Sequence, residues 1–159
     1  QAFDIDGGKS FKIEFSNYEF IQDSVYKNYE NFDVKVYTPE MIVCEKLRAL
    51  CQQTFEYRKS IGSDRHPKGR ARDFYDIYYL VTNFKIDIQS KNSMDLLHSV
   101  FSAKQVDLSI LKYVESMYKL HKADEASLQA TVSPEIYESF DVYYAYVTKL
   151  IHLILSQEI

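Results

Sequence analysis

One lysine sits where the hydrophobic pattern leaves no ordinary place for a charge. From Thr38 to about Thr54 the apolar spacing predicts a helix, and at about 100° per residue Ile42, Val43, Leu47 and Leu50 form one stripe with Lys46 inside it. One turn away on either side lie Ile42, Val43, Ala49 and Leu50, so the stem of Lys46 packs against carbon. Its ammonium then either meets a carboxylate or a phosphate, or reaches past the apolar surface to water. A second cluster is Arg70-Ala71-Arg72-Asp73-Phe74-Tyr75-Asp76, in which Asp73 and Asp76 are three residues apart at the edge of another apolar stripe. Both carboxylates can point into one site, where either is a candidate catalytic acid. The plainer alternative is that Arg72 forms an ordinary surface pair with Asp76 four residues on, worth about 0.3 to 0.5 kcal/mol.

Positive charge gathers just ahead of these aspartates, at Lys59, Arg65, His66, Lys68, Arg70 and Arg72. Such a run suits a triphosphate or an RNA backbone, and equally a solvated loop. Glu14 is a candidate metal carboxylate, or simply an outward polar residue of a half-solvated strand. Gly62-Ser63-Asp64 imitates the start of a nucleotide-transfer metal motif, but no strand-to-helix turn frames it. The four histidines, His66, His98, His121 and His152, have no metal-ligand spacing with each other or with the cysteines, and there is neither a glycine-rich phosphate loop nor a nucleophile elbow.

The elements that must position these residues follow from periodicity. Phe11-Lys12-Ile13-Glu14-Phe15-Ser16 alternates as a strand with one buried face; residues 2–6 with Gly7-Gly8 read as its hairpin partner, and Asp33 to Tyr37 as a third strand. Thr38-Pro39-Glu40 is an N-cap, a first-turn proline and an acid at the positive end of the dipole. Beyond a polar loop, helices are expected near Arg70 to Thr82, Ser93 to Ala103, Leu108 to Ala130, and Pro134 to Gln157, the last opened by Ser133-Pro134-Glu135. Strands before helices predict an α+β fold: one domain, residues 1–159, or a fragment of one, with a sheet part over 1–37 and a helical bundle over 38–159.

Composition narrows the setting. The 159 residues carry a formal net charge of −4, so there is no global attraction to nucleic acid and any phosphate site must be local. Cys44 and Cys51 lie seven apart in one helix, about 10 Å by helical rise, too far to bridge, which fits a reducing cytoplasm. The most apolar stretch, Val142 to Leu155, is interrupted by Thr148, Lys149 and His152 and reads as a core helix, since an apolar stripe of this kind serves as core more often than as interface.

Three segments taken in order, Lys12 to Ser16, Thr38 to Leu50 and Arg70 to Leu80, resemble the AbiEii/AbiGii toxin family, most specifically in the pair EKLRAL and RARDFYDIYYL. The resemblance implies a polymerase-beta-like nucleotidyltransferase of a toxin–antitoxin or abortive-infection system, which moves a nucleotide from a nucleoside triphosphate onto RNA, tRNA acceptor ends included, with Mg2+ and a cognate antitoxin protein. Glu14 would be the sheet carboxylate of the metal site, Lys46 would contact the triphosphate with Arg48, Arg70 and Arg72 in support, and Asp73 would be the late-motif acid with Asp76 as its partner. The family's first motif, Gly-Ser followed by paired acids, should precede Glu14, yet only thirteen residues do, and Asp4 and Asp6 beside Gly7-Gly8 do not supply it. The expectation is therefore an incomplete C-terminal part that cannot by itself hold two catalytic metals and is inactive alone, the intact protein being the enzyme. The alternative is a noncatalytic binding module of the same fold that serves an antitoxin or another protein.

Overall fold

In the computed structural model the described residues are the backbone of 2–3 and 11–12, and residues 18–158. Glu14, the Gly7-Gly8 turn and the rest of the first expected strand lie outside them. Four short strands precede the helices, as an α+β chain requires. Strand β1 (Ala2–Phe3) pairs antiparallel with β2 (Phe11–Lys12), and β3 (Val25–Tyr29) pairs antiparallel with β4 (Phe32–Val36) in the register Tyr29 to Phe32 and Val25 to Val36. The β3 strand was not expected. Its two-residue turn is Glu30-Asn31, both at positive φ (48° and 70°), a hairpin geometry whose usual sequence mark is a glycine. Both strands of this hairpin are exposed except for Val36, so the ribbon stands off the bundle instead of packing an edge on it.

Helix α1 (Pro39–Cys51) starts where the sequence places it: the Thr38 side chain accepts a hydrogen bond from the Met41 N–H at 3.2 Å. It ends three residues before Thr54, because Thr54 itself caps a short helix, α2 (Phe55–Ser60), within the expected polar loop. Gly62-Ser63-Asp64 is the turn that closes α2. Gly62 takes a φ of 61° and the Ser63 N–H donates to the Arg58 carbonyl at 2.9 Å, which gives this segment a helix-ending role.

Helices α3 (Ala71–Phe84) and α4 (Lys91–Ala103) agree with expectation to within two residues. The long helix expected over 108–130 is instead a 3-10 segment (Leu108–Met117) followed by α5 (Tyr118–Lys122) and α6 (Glu125–Gln129). Leu108, Leu111, Val114 and Met117 are buried at a strict spacing of three, the period of a 3-10 helix. The final helix, α7 (Phe140–Leu155), starts six residues later than Pro134. Glu125 accepts the Phe140 N–H at 3.0 Å, and Tyr143 accepts the Glu138 N–H at 2.7 Å, so tertiary partners set its start. Among the described residues no helix is long and apolar enough to cross a membrane.

Helix α1 packs against α3, α4 and the 3-10 segment, while α3 also packs on α6 and α7. The core they enclose includes Met41, Leu47, Leu50, Phe74, Ile77, Leu97, Phe101, Leu111, Phe140, Tyr143 and Ile154. On α7 the stripe of Phe140, Tyr143, Val147, Leu150 and Ile154 is buried, which makes it core; Ile136, before the helix, is exposed.

Candidate functional site

The apolar contact between α1 and α3 brings two distant polar patterns together. Lys46 extends from α1 so that its Nζ lies 2.9 Å from Asp73 Oδ1 and 2.8 Å from Asp76 Oδ2, both on α3. Arg70 Nε pairs with the other Asp73 oxygen, and Arg72 Nε lies 2.8 Å from Asp76 Oδ1. The i,i+4 pair expected as the plainer alternative for Asp76 therefore exists, alongside a second bond to Lys46. Three cations face two carboxylates, leaving one positive charge over. The Asp73 side chain is 7% exposed and that of Lys46 22%, so the pairing happens largely out of water, where charges interact strongly. Burial works against the charge on Lys46, but the hydrogen bonds and charges of Asp76 and Asp73 outweigh it and raise the lysine's pKa.

The beginning of α3 is held from outside its own sequence. No side chain of the preceding residues caps it. Instead the Ala71 N–H donates to Asp124 Oδ2 at 3.0 Å, and the Arg70 N–H donates to His121 Nδ1 at 3.2 Å. A carboxylate at a helix N-terminus satisfies an orphan donor and complements the dipole. Because Nδ1 accepts, His121 is the neutral tautomer with its proton on Nε2, and that nitrogen is buried with no hydrogen-bond partner among the described residues. Burial pushes the His121 pKa down to about 4. Its ring lies 5.0 Å from that of Phe74. Gly69 permits the close approach: a methyl group there would collide with the Asp124 Cβ and the Leu120 carbonyl oxygen.

Beside the cluster opens a cavity of about 410 Å³. Lys46, Arg72 and Asp76 line one part, Tyr75 and Tyr79 another, and Ile42, Leu80 and Ile136 complete it. Tyr75 and Tyr79 stack with centroids 5.9 Å apart, and the Arg72 guanidinium lies over the Tyr75 ring at 5.7 Å.

Of the residues expected to act together, the structure thus assembles Lys46, Asp73, Asp76, Arg70 and Arg72. It does not bring Arg48 to them. Arg48 Nη2 lies 2.6 Å from Glu45 on another face of α1. The remaining basic residues of the run, Lys59, Arg65, His66 and Lys68, are exposed on the loop side. Sequence reasoning missed His121 and Asp124, more than fifty residues from the backbone they hold, and passed over the two tyrosines because α3 carries aromatic residues on more than one face. The i,i+4 spacing of Tyr75 and Tyr79 was the available signal.

For a divalent metal the described residues do not make a fitting site. No group of three or more histidine, cysteine, aspartate or glutamate side chains among them could hold an ion. Asp73 and Asp76 each already meet two cations, and a dication between them would face Lys46, Arg70 and Arg72.

Fold and cluster together define an α+β protein in which a packed lysine joins two aspartates and, with Asp76 and Arg72, lines a cavity that also holds Tyr75 and Tyr79. Comparison with protein families matches residues 3–145 to the family described as "Nucleotidyl transferase AbiEii toxin, Type IV TA system". The chain belongs to that family, as its three segments led us to expect. Comparisons with curated proteins and with solved structures returned no match.

Proposed function

We propose that this protein is the nucleotidyltransferase of a toxin–antitoxin pair, transferring a nucleotide from a nucleoside triphosphate onto RNA, tRNA acceptor ends among the candidates, in the cytoplasm and under the control of an antitoxin protein. Family membership supports the reaction class. The observation that carries the reading in this chain is the geometry of Lys46. A lysine ammonium has three protons, and Asp73 and Asp76 take two. The third, which has no partner among the described residues, is left in this reading for a ligand in the cavity that Lys46 lines.

In the proposed transfer an acceptor hydroxyl oxygen bonds to the α-phosphorus and gives up its proton to water, while the bond from that phosphorus to the leaving pyrophosphate breaks. Negative charge gathers on the leaving group, where prepositioned cations stabilise it most. Lys46 and Arg72 are the cations on the cavity wall, and Arg70 adds to the local excess of positive charge. Asp73 is the late-motif acid of this reading, with the task of holding Lys46 and Arg70 in place; Asp76 does the same for Lys46 and Arg72. Magnesium belongs in this proposal to Glu14, since the two aspartates are taken up by cations. Arg48 takes no part.

A second reading, a noncatalytic module that binds an antitoxin or another protein, draws on the exposed Tyr26, Tyr29 and Phe32 of the β3–β4 hairpin. One experiment separates the two. The purified protein is incubated with labelled nucleoside triphosphates and bulk RNA, and label on RNA is measured for wild type and Lys46→Ala. Labelling that disappears in a variant still folded by circular dichroism supports the transferase. Labelling that persists unchanged in Lys46→Ala overturns the role of the lysine, and a wild type that neither labels RNA nor binds a nucleoside triphosphate favours the binding module.

A further inference from the structure

Two tyrosines of α3, Tyr75 and Tyr79, line the cavity beside Lys46. Tyr78, Tyr118, Tyr137, Tyr143 and Tyr144 each use the phenol oxygen in a hydrogen bond, to Glu138, Asp141, Glu125, the Glu138 N–H and the Glu115 carbonyl respectively. Tyr75 and Tyr79 make no such bond among the described residues, and stack on each other instead. Tyr75 is 8% exposed and backed by Tyr143, whose ring meets it edge-on at 5.2 Å. Tyr79 is 44% exposed, the outer ring of the stack. A flat aromatic surface on a rigid base thus stands in the same cavity as Lys46 and Arg72.

We infer that Tyr79, supported by Tyr75, is the platform on which a nucleobase stacks while the phosphates of the same nucleotide reach Lys46 and Arg72. This deepens the nucleotidyltransferase reading and rests on it. A nucleotide is the ligand chemistry that needs both halves of the cavity: a π-face for the ring, and cations for the anionic end. The cavity volume falls in the range of small-molecule sites. Apart from the ionic cluster, the only side-chain polar groups on its wall among the described residues are the two phenol hydroxyls; the rest is Ile42, Leu80 and Ile136. Few groups are thus available to read base edges. The platform accepts any base, and purines, with more ring to stack, bind more tightly than pyrimidines. The same chemistry is offered by an incoming nucleoside triphosphate and by the terminal nucleotide of an RNA acceptor.

The test is equilibrium binding, by calorimetry, of ATP, of inorganic tripolyphosphate and of a short oligoadenylate to the full chain, for wild type, Tyr79→Ala and Tyr79→Phe. Tyr79 is half exposed, so Tyr79→Ala is expected to fold, and its thermal unfolding is checked alongside; Tyr79→Phe keeps the ring if it does not. Stacking on an aromatic side chain is worth about 1 to 3 kcal/mol per base, so Tyr79→Ala weakens a base-bearing ligand by about 5- to 150-fold and leaves tripolyphosphate unchanged. Tyr79→Phe stays close to wild type. Loss confined to ATP assigns the platform to the incoming nucleotide, and loss confined to oligoadenylate assigns it to the acceptor end. If ATP and tripolyphosphate bind equally well and Tyr79→Ala changes neither ATP nor oligoadenylate, the platform is overturned while the phosphate site stands. If wild type binds none of the three, both readings fall, and the cavity is left to a protein partner.

Discussion

Lys46 Nζ and Asp73 Oδ1, twenty-seven residues apart in the chain, lie 2.9 Å from each other across the α1–α3 contact. The other oxygen of Asp73 is taken by Arg70, so one nearly buried carboxylate holds two cations from two different segments. Asp73→Ala leaves Arg70 without its carboxylate and Lys46 with Asp76 alone. Breaking a buried ion pair costs about 3 to 5 kcal/mol. Because Arg70 is 38% exposed and recovers water, we expect about 2 to 3 kcal/mol here, read from urea unfolding. A double-mutant cycle with Lys46→Ala should give a coupling energy above about 1 kcal/mol, and additive losses would mean that the contact is not energetically linked.

Arg72 should behave differently. Its side chain is 46% exposed and its pair with Asp76 is a solvent-facing i,i+4 contact, so Arg72→Ala shifts unfolding free energy by no more than about 0.5 kcal/mol. It nevertheless removes a cation from the cavity wall. We expect weaker tripolyphosphate binding in calorimetry with near-wild-type stability, and retained binding would remove Arg72 from the phosphate site.

His121 makes stability depend on pH. Unfolded, its imidazole titrates near pH 6.5; folded, burial holds it down to about 4. Between those values the unfolded chain takes up a proton that the folded chain refuses, so stability falls as pH drops from about 6.5 to 4, by up to about 3 kcal/mol from this group. Asp73, Asp124 and Arg70 surround the ring and their charges partly offset one another. Denaturant midpoints across that window should show a shallower slope for His121→Gln than for wild type, and parallel profiles would rule the histidine out as the cause.

Gly69→Ala tests the clamp on α3. A methyl group would press on Asp124 and on the Leu120 carbonyl, displacing the carboxylate that holds the Ala71 N–H. Overpacking of this kind costs about 1 to 3 kcal/mol. Amide exchange at Ala71 and loss of tripolyphosphate binding should accompany the drop in melting temperature, because the first turn of α3 carries Arg72 and Asp73.

Much of the site was legible in one dimension. A charge inside the stripe of α1 announced that Lys46 either met an anion or reached past the apolar surface to water, and the spacing of Asp73 and Asp76 announced that both could share one position, since helical periodicity is a local property. The limit of that reasoning is the choice of partner: Arg48, added to the site by the resemblance alone, lies about 200° around the helix from Lys46 and pairs with Glu45. The same limit applied to the fold. Thr38 capped α1 as its type dictates, whereas the Ser-Pro-Glu at 133–135 opened no long helix, because Glu125 and Tyr143 bind the backbone further on.

The sequence alone thus determined which side chains were out of place on their own elements, the N-cap of α1, the α+β order of elements and the family to which the chain belongs. Tertiary structure decided the rest. It chose carboxylates as the partners of Lys46, broke the helix expected after Leu108 into three pieces, and supplied the N-termini of α3 and α7 with acceptors from Asp124 and Glu125. The physical reason is the same throughout: orphan helix-end donors and buried charges must find partners, and those partners are chosen by proximity in space, which spacing along the chain does not encode.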